Sequence, residues 1–295
     1  MTALDSTPSR THGRLCIVVA SVLWSLNGFF VPVLTKDTLL GLNNPAVTAQ
    51  HIAFYRVLFA GIVLVPGLRR AEITFRLPML LSAGAFAIMN LVFVFAMTEG
   101  VIASAMFLQY TAPVWLYLVC VYGLGEPADR RGLVSVMIAL VGIFAIVAGG
   151  WHDNGLRVMA LGLASGITYA GVLLGIRLLR SESSRWITVV NLMTAAAFSL
   201  PLLFFVPNPS WAQLATLVVF GGLQLGLPYL LMARGLRSVD AREAGTLTLI
   251  EPILSPIWAF LVADQRPQTT TWIGGAFILA ALLYRYAPLK KPKRE

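Results

Sequence analysis

The chain is 295 residues long, 58% of them hydrophobic and only 12% charged, with a mean hydropathy of +0.79. A soluble protein of this length needs more polar surface than such a composition supplies. The formal net charge of +9 does not point to nucleic acid, because the basic residues lie between apolar blocks and form no clustered face; anionic lipid at a cytoplasmic leaflet accounts for it.

The first fourteen residues are polar, and the apolar stretch after them lacks an A-x-A cleavage pattern, so it reads as a retained helix and not a secretory signal. A bilayer core of roughly 30 Å takes about twenty apolar residues per helix. Blocks of that length predict ten transmembrane helices near 15–34, 47–67, 78–98, 101–122, 131–149, 156–178, 187–206, 211–233, 243–262 and 270–287. The expected fold class is therefore an all-α integral membrane protein with short connections and no inserted soluble domain. The two cysteines, Cys16 and Cys120, both fall inside apolar runs and read as small buried hydrophobes.

Charge placement tests the count. With the N-terminus inside and an even number of spans, one face holds Arg10, Arg14, Arg69, Arg70, Arg76, Arg130, Arg131, Arg177, Arg180, Arg185, Arg234, Arg237, Arg242, Arg285, Lys290, Lys291, Lys293 and Arg294. The other face holds only Lys36, Arg157 and Arg266, and Arg56 falls inside a span. This is the asymmetry of the positive-inside rule, and it predicts a multi-pass protein of a bacterial-type inner membrane with both termini cytoplasmic.

A longer period is also present. Ala112-Pro113-Val114, an apolar run and Gly125-Glu126-Pro127 are echoed by Glu251-Pro252-Ile253, an apolar run and Asp264-Gln265-Arg266-Pro267. Leu140-Val141-Gly142-Ile143-Phe144 is echoed by Trp272-Ile273-Gly274-Gly275-Ala276-Phe277. Each unit has five helices, an odd number, so the second copy enters the membrane from the other side. Such an inverted repeat is a transporter signature.

These features, with Leu23-Trp24-Ser25-Leu26-Asn27-Gly28 and Phe54-Tyr55-Arg56, resemble the EamA-type branch of the drug/metabolite transporter superfamily over essentially the whole chain. Within that branch the chain is most similar to YddG-like amino-acid exporters. The second acidic loop departs from the pattern, reading Asp264-Gln265 where Gly-Glu would be expected. The implied organisation is a cytoplasmic tail (1–14), a first five-helix repeat (15–150), a second inverted repeat (151–288) and a basic cytoplasmic tail (289–295). By the same resemblance, helices one, three, four, six, eight and nine line the cavity.

Polar groups at membrane depth are costly and mark candidate sites. Arg56 is either a carboxylate or phosphate contact or a brace bonded to carbonyls or a neighbouring acid. Glu251 either binds a proton or a substrate ammonium, or bonds to backbone groups freed by Pro252. Pro113, Pro252 and Pro256 each remove an amide donor and mark a pathway in the fourth and ninth helices. Gln109 lies one turn before Pro113. Thr248, Glu251 and Ser255 recur at helical spacing and make one polar stripe. Asn90 stands alone among Phe86, Met89 and Phe93, Trp24 and Asn27 share a face, and Gln224 precedes Pro228 and Tyr229. Tyr169 is the approximate repeat partner of Trp24. Candidate substrate contacts are thus Trp24, Asn27, Asn90, Gln109, Tyr110, Tyr169, Gln224, Tyr229, Thr248 and Glu251, each set against a plain interhelical hydrogen bond.

Trp151, Trp186, Trp211, Trp272, Tyr284 and Tyr286 read as interfacial belt residues, while Trp24, Tyr55, Tyr110, Trp115, Tyr169 and Tyr229 lie deeper. Sugar phosphates would call for several midplane cations, whereas the one available suits small zwitterions. The glycine pairs Gly162/Gly166, Gly171/Gly175 and Gly222/Gly226 predict close helix packing.

No H-E-x-x-H, G-x-S-x-G or G-x-x-x-x-G-K-[ST] motif occurs, so neither an enzyme nor an ATP-driven pump is expected, and no cofactor or metal is implied. The expected partners are membrane lipid and a small-molecule substrate, with the chain a monomer. The expected function is export of amino acids or related metabolites by alternating access. Export of drugs or other amphiphiles is the alternative, and a channel a remoter one.

Overall fold

Hydrocarbon offers a backbone amide no partner outside its own helix, and the apolar blocks fold accordingly. The computed structural model describes residues 10–150 and 155–286, apart from the side chains of Ala241 and Arg242. The predicted belt residue Trp151, residues 1–9 of the first tail and the basic tail 289–295 lie outside the described residues. Among the described residues the helices run α1 (Arg10–Ser25), α2 (Asn27–Thr35), α3 (Ala49–Leu64), α4 (Leu77–Glu99), α5 (Ile102–Gln109), α6 (Ala112–Leu118) and α7 (Arg130–Gly150) in the first half. The second half holds α8 (Gly155–Leu178), α9 (Ser184–Ser199), α10 (Trp211–Val219), α11 (Leu227–Gly235), α12 (Ala241–Leu247), α13 (Ile250–Ala263) and α14 (Thr269–Tyr286). The chain is an all-helical membrane protein built as an inverted repeat of five plus five. Among the described residues nine helical runs are long and apolar enough to cross a bilayer; α14, at 18 residues with Tyr284, Arg285 and Tyr286 at its end, is the tenth helix of the repeat and falls outside that set.

Four of the expected spans depart from a regular α-helix well inside their length. The first breaks at Leu26, the fourth at Tyr110-Thr111 and the ninth at Thr248-Leu249. The eighth carries a π-helical stretch, Phe220–Gly226, just before Pro228. In the fourth and ninth spans the breaks fall ahead of Pro113 and Pro252, because a proline is tolerated in the first turn of a new helix but not inside an old one. Pro256 lies within α13.

The two halves meet back to back where α7 and α14 cross antiparallel. A Cβ added to Gly142 would lie 2.5 Å from the Gly274 carbonyl oxygen, and one added to Gly274 would lie 2.4 Å from that of Gly142. The echoed glycines of the two repeats are therefore each other's contact, and only glycine allows the approach. The other predicted pairs also pack: Gly166 lies against Leu108 and Thr111, Gly175 against Ser82, and Gly226 against Ala60.

Ion pairs tie the halves together at the arginine-rich end. Arg10 and Arg14 reach Glu243, Arg76 reaches Glu182 (3.1 Å), Arg177 reaches Glu126 (2.8 Å) and Arg285 reaches Asp129. The Thr74 hydroxyl also donates to Glu182, and with Arg76 beside it this carboxyl is held below its ordinary range. Cys120 is buried as expected, but its sulfur also accepts a hydrogen bond from Arg177. At the opposite end Gln213 donates to the Leu42 and Pro45 carbonyls, Gln265 accepts from the Ile102 amide, and Arg157 pairs with Glu99. A dense apolar cluster including Phe30, Leu34, Val47, Phe93, Met97, Met106 and Phe220 packs that half.

Candidate functional site

The helix breaks bring the polar residues together. Tyr110 ends α5, and its hydroxyl donates to Glu251 Oε2 at 2.7 Å, with the Thr248 carbonyl oxygen 3.2 Å away. Pro252 has no amide to offer the Thr248 carbonyl four residues earlier, and that oxygen, which accepts from the Glu251 amide at 3.1 Å, keeps its second lone pair for a side chain. The break in one half is thus joined to the break in the other. Because the ninth span turns at Thr248-Leu249, the continuous stripe expected from Thr248, Glu251 and Ser255 does not exist. The Thr248 hydroxyl bonds back to Gly245, and Ser255 is fully buried, donating to the Ser25 carbonyl at 3.1 Å. Trp258 Nε1 donates to the Ser25 hydroxyl at 3.0 Å, and a Cβ on Gly28 would collide with the Ser255 carbonyl. Ser255 of the expected stripe, with Ser25 and Trp258, which were not predicted as site residues, seats α13 against the break in the first span.

Arg56 is held by neither a carboxylate nor carbonyls. Its terminal nitrogens donate to Asn27 Oδ1 (3.0 Å) and Asn90 Oδ1 (2.8 Å), and its guanidinium stands 5.8 Å from the centre of the Phe220 ring. Asn90 does not stand alone: besides accepting from Arg56 it donates to the Ala53 carbonyl at 2.8 Å. Asn27, Arg56 and Asn90 are all buried, and Arg56 Nε is left without a partner. Two of the ten predicted substrate contacts therefore serve first to position the one cation at membrane depth.

Gln224 is a third residue whose first role is internal. It is buried, its Nε2 donates to the Trp24 carbonyl at 2.8 Å, and its Oε1 has no partner. The carbonyls of Trp24 and Ser25, just before the break at Leu26, are thus taken up by Gln224 and Ser255 from the second half.

The remaining predicted contacts surround Glu251 and Arg56. Trp24 packs edge-on against Tyr229, ring centres 5.5 Å apart. Tyr169 and Tyr229 both lie within electrostatic reach of Glu251, as does Arg56. Trp24, Tyr110, Tyr169, Tyr229, Thr248 and Glu251 are half-buried and keep some accessible surface, whereas Gln109 is buried at the end of α5. Pro113 is half-buried, and Pro252 and Pro256 are buried. No cluster of three potential metal ligands occurs among the described residues. An open cleft of about 670 Å³ between Asp37–Leu39 and Phe260–Asp264 contains none of the predicted site residues.

The model of the EamA-like transporter family matches this chain twice, over residues 11–148 and 156–286. An uncharacterised transporter of Archaeoglobus fulgidus is 26% identical, over 92% of this chain and 95% of its own. The pseudopaline exporter CntI of Pseudomonas aeruginosa is 23% identical over 92% and 94%, and an S-adenosylmethionine uptake transporter of Rickettsia prowazekii 22% over 79% and 81%. A crystal structure with 18% identity shares the fold, with a TM-score of 0.64 over 94% of this chain and 98% of that one.

Proposed function

The chain belongs to the EamA-like transporter family, and we propose that this secondary transporter exports amino acids or related small zwitterionic metabolites by alternating access. One observation carries the choice of cargo. Arg56 from the first half and Glu251 from the second are opposite charges within electrostatic reach, yet they do not form an ion pair. A zwitterion would offer its ammonium to Glu251 and its carboxylate toward Arg56, with a side chain against Trp24 and Tyr229. Thr248, Tyr110, Tyr169 and Gln109 complete the binding surface in this reading, while Asn27, Asn90 and Gln224 hold its shape. The prolines at the helix breaks permit the two repeats, 15–150 and 151–288, to rock about the site.

Export out of the cytoplasm rests on the resemblance to YddG-like amino-acid exporters, since the named relatives include both an exporter and an uptake transporter. The arginine-rich end is the cytoplasmic one in this reading, placing both termini inside an inner membrane. Reporter fusions at the C-terminus read that orientation directly. The transport test is counterflow of radiolabelled amino acids in proteoliposomes, with Trp24, Gln109, Tyr229 and Glu251 each replaced by alanine. Absence of counterflow with every amino acid would end the narrow reading. The edge-on Trp24–Tyr229 pair also suits amphiphilic drugs, the second reading, and a resistance screen separates the two.

A further inference from the structure

Two loops at the arginine-rich end, one from each half, are laced together by side chains. The Arg185 guanidinium donates to the Gly67 carbonyl, the Ser183 hydroxyl to Glu72 (3.1 Å), and Trp186 Nε1 to the Thr74 carbonyl (2.6 Å). The Thr74 hydroxyl and Arg76 both donate to Glu182. Residues 67–76 and 180–186 therefore form one platform where α3 ends, α4 begins, α8 ends and α9 begins.

The lacing consumes the acids of the platform and leaves its cations. Its two segments hold five arginines and two glutamates. Glu72 is taken by Ser183, and Glu182 by Thr74 and Arg76. Arg69, Arg70 and Arg180 are exposed, and among the described residues none of the three pairs with a carboxylate.

Apolar side chains stand beside these cations. The backbone is extended at Ile73 and at Arg76, and successive side chains of an extended segment point opposite ways. Thr74 and Arg76 accordingly turn to Glu182, while Ile73 and Phe75 turn outward. Phe75 is 83% exposed and rests edge-on against Trp186, ring centres 5.9 Å apart; Leu77, at the start of α4, is 80% exposed. Unpaired guanidiniums and an exposed phenyl ring, a few residues apart, match the level of a bilayer where phosphates give way to acyl chains.

We propose that this platform binds an anionic phospholipid of the adjoining leaflet, with phosphate on Arg69, Arg70 and Arg180 and acyl chains over Phe75 and Leu77. The planar fork of a guanidinium matches two phosphate oxygens at once. A phospholipid with two phosphates, of the cardiolipin type, can engage both loops together, one phosphate at Arg69 and Arg70 and the other at Arg180. A soluble phosphate would satisfy the guanidiniums and leave Phe75 and Leu77 uncovered. The site is independent of what the protein carries.

The test titrates the purified full chain in detergent with cardiolipin, phosphatidylglycerol or phosphatidylcholine, and native mass spectrometry counts the bound lipids. Affinity is expected to fall in that order and to weaken with salt. Each guanidinium near a membrane surface is worth about fivefold in affinity for anionic lipid, so replacing Arg69, Arg70 and Arg180 together by glutamine should cost about 100-fold for cardiolipin. Replacing Arg130, Arg234 and Arg237 by glutamine removes the same charge from α7 and the end of α11, and should leave the tightest cardiolipin bound. Phe75→Ala should weaken cardiolipin severalfold. In phosphatidylcholine vesicles doped with a cardiolipin bearing a photoreactive acyl chain, cross-links should fall within residues 73–80. Melting temperatures without added lipid check that each variant is folded. Equal losses in the two triple variants would reduce the effect to net charge and overturn the site. Displacement of cardiolipin by millimolar inorganic phosphate, or cross-links absent from residues 73–80, would overturn it as well.

Discussion

Replacing Asn90 by alanine should be among the most damaging single changes in the protein, although Asn90 is remote from either membrane surface. The side chain is fully buried and makes two bonds, accepting from Arg56 at 2.8 Å and donating to the Ala53 carbonyl at 2.8 Å. A hydrogen bond to a charged group contributes about 1.5–3 kcal/mol, and an interhelical bond between neutral groups in membranes about 0.6 kcal/mol. Arg56 has no spare acceptor, since its Nε is already unpartnered and Asn27 holds the other terminal nitrogen. The expected loss is therefore roughly 2–4 kcal/mol, the upper part reflecting the uncompensated buried charge. Reversible unfolding in mixed detergent–SDS micelles, followed by circular dichroism, measures it. The same change in an Arg56→Met background should cost only about 0.6 kcal/mol, because the Ala53 bond alone is then lost. An Asn90→Ala protein within about 0.5 kcal/mol of its parent would refute the reasoning. So would an equal cost in both backgrounds.

Further outcomes follow from the same contacts. Gly28→Ala places a methyl against the Ser255 carbonyl, so α2 and α13 must separate; destabilisation of about 1–3 kcal/mol and impaired counterflow are expected from melting and flux assays. Asn27→Ala removes one Arg56 bond and leaves the other, so its cost should fall below that of Asn90→Ala in the same unfolding assay. Glu182, held below its ordinary carboxylate range by Thr74 and Arg76, contributes stability that is present above the ordinary value of 4.5 and lost as pH falls through the lower folded value. Hydrogen exchange around residues 68–76 and 179–186 should accordingly rise in that acidic window in the parent and show a weaker pH dependence in Glu182→Gln.

The span pattern was legible because hydrocarbon imposes a length and a composition, and the charge asymmetry then fixed the count. The tenth helix shows the limit of hydropathy: its three opening threonines and closing Tyr-Arg-Tyr dilute an otherwise apolar block. The prolines at 113 and 252 signalled irregular helices, but the breaks fall before them, and that erased the stripe through Thr248 and Ser255. The amide pair around Arg56 was invisible in sequence for a different reason. Asn27 and Asn90 lie 29 and 34 residues from Arg56, and nothing local in Asn27-Gly28 or Met89-Asn90 announces a shared partner. Trp24, Tyr110, Tyr169, Tyr229 and Glu251 could be put forward from sequence because aromatic and acidic residues deep in apolar runs have few other places to go.

The reciprocal contact of Gly142 and Gly274 bears on how such a chain can evolve. Each residue is the floor on which the other rests, so a side chain added to either one wedges both helices apart at once. Sequence drift elsewhere can be absorbed within one half, whereas here the two copies of an ancestral unit remain answerable to each other. The crossing serves as an axle, and the bore of an axle cannot be widened from one side alone.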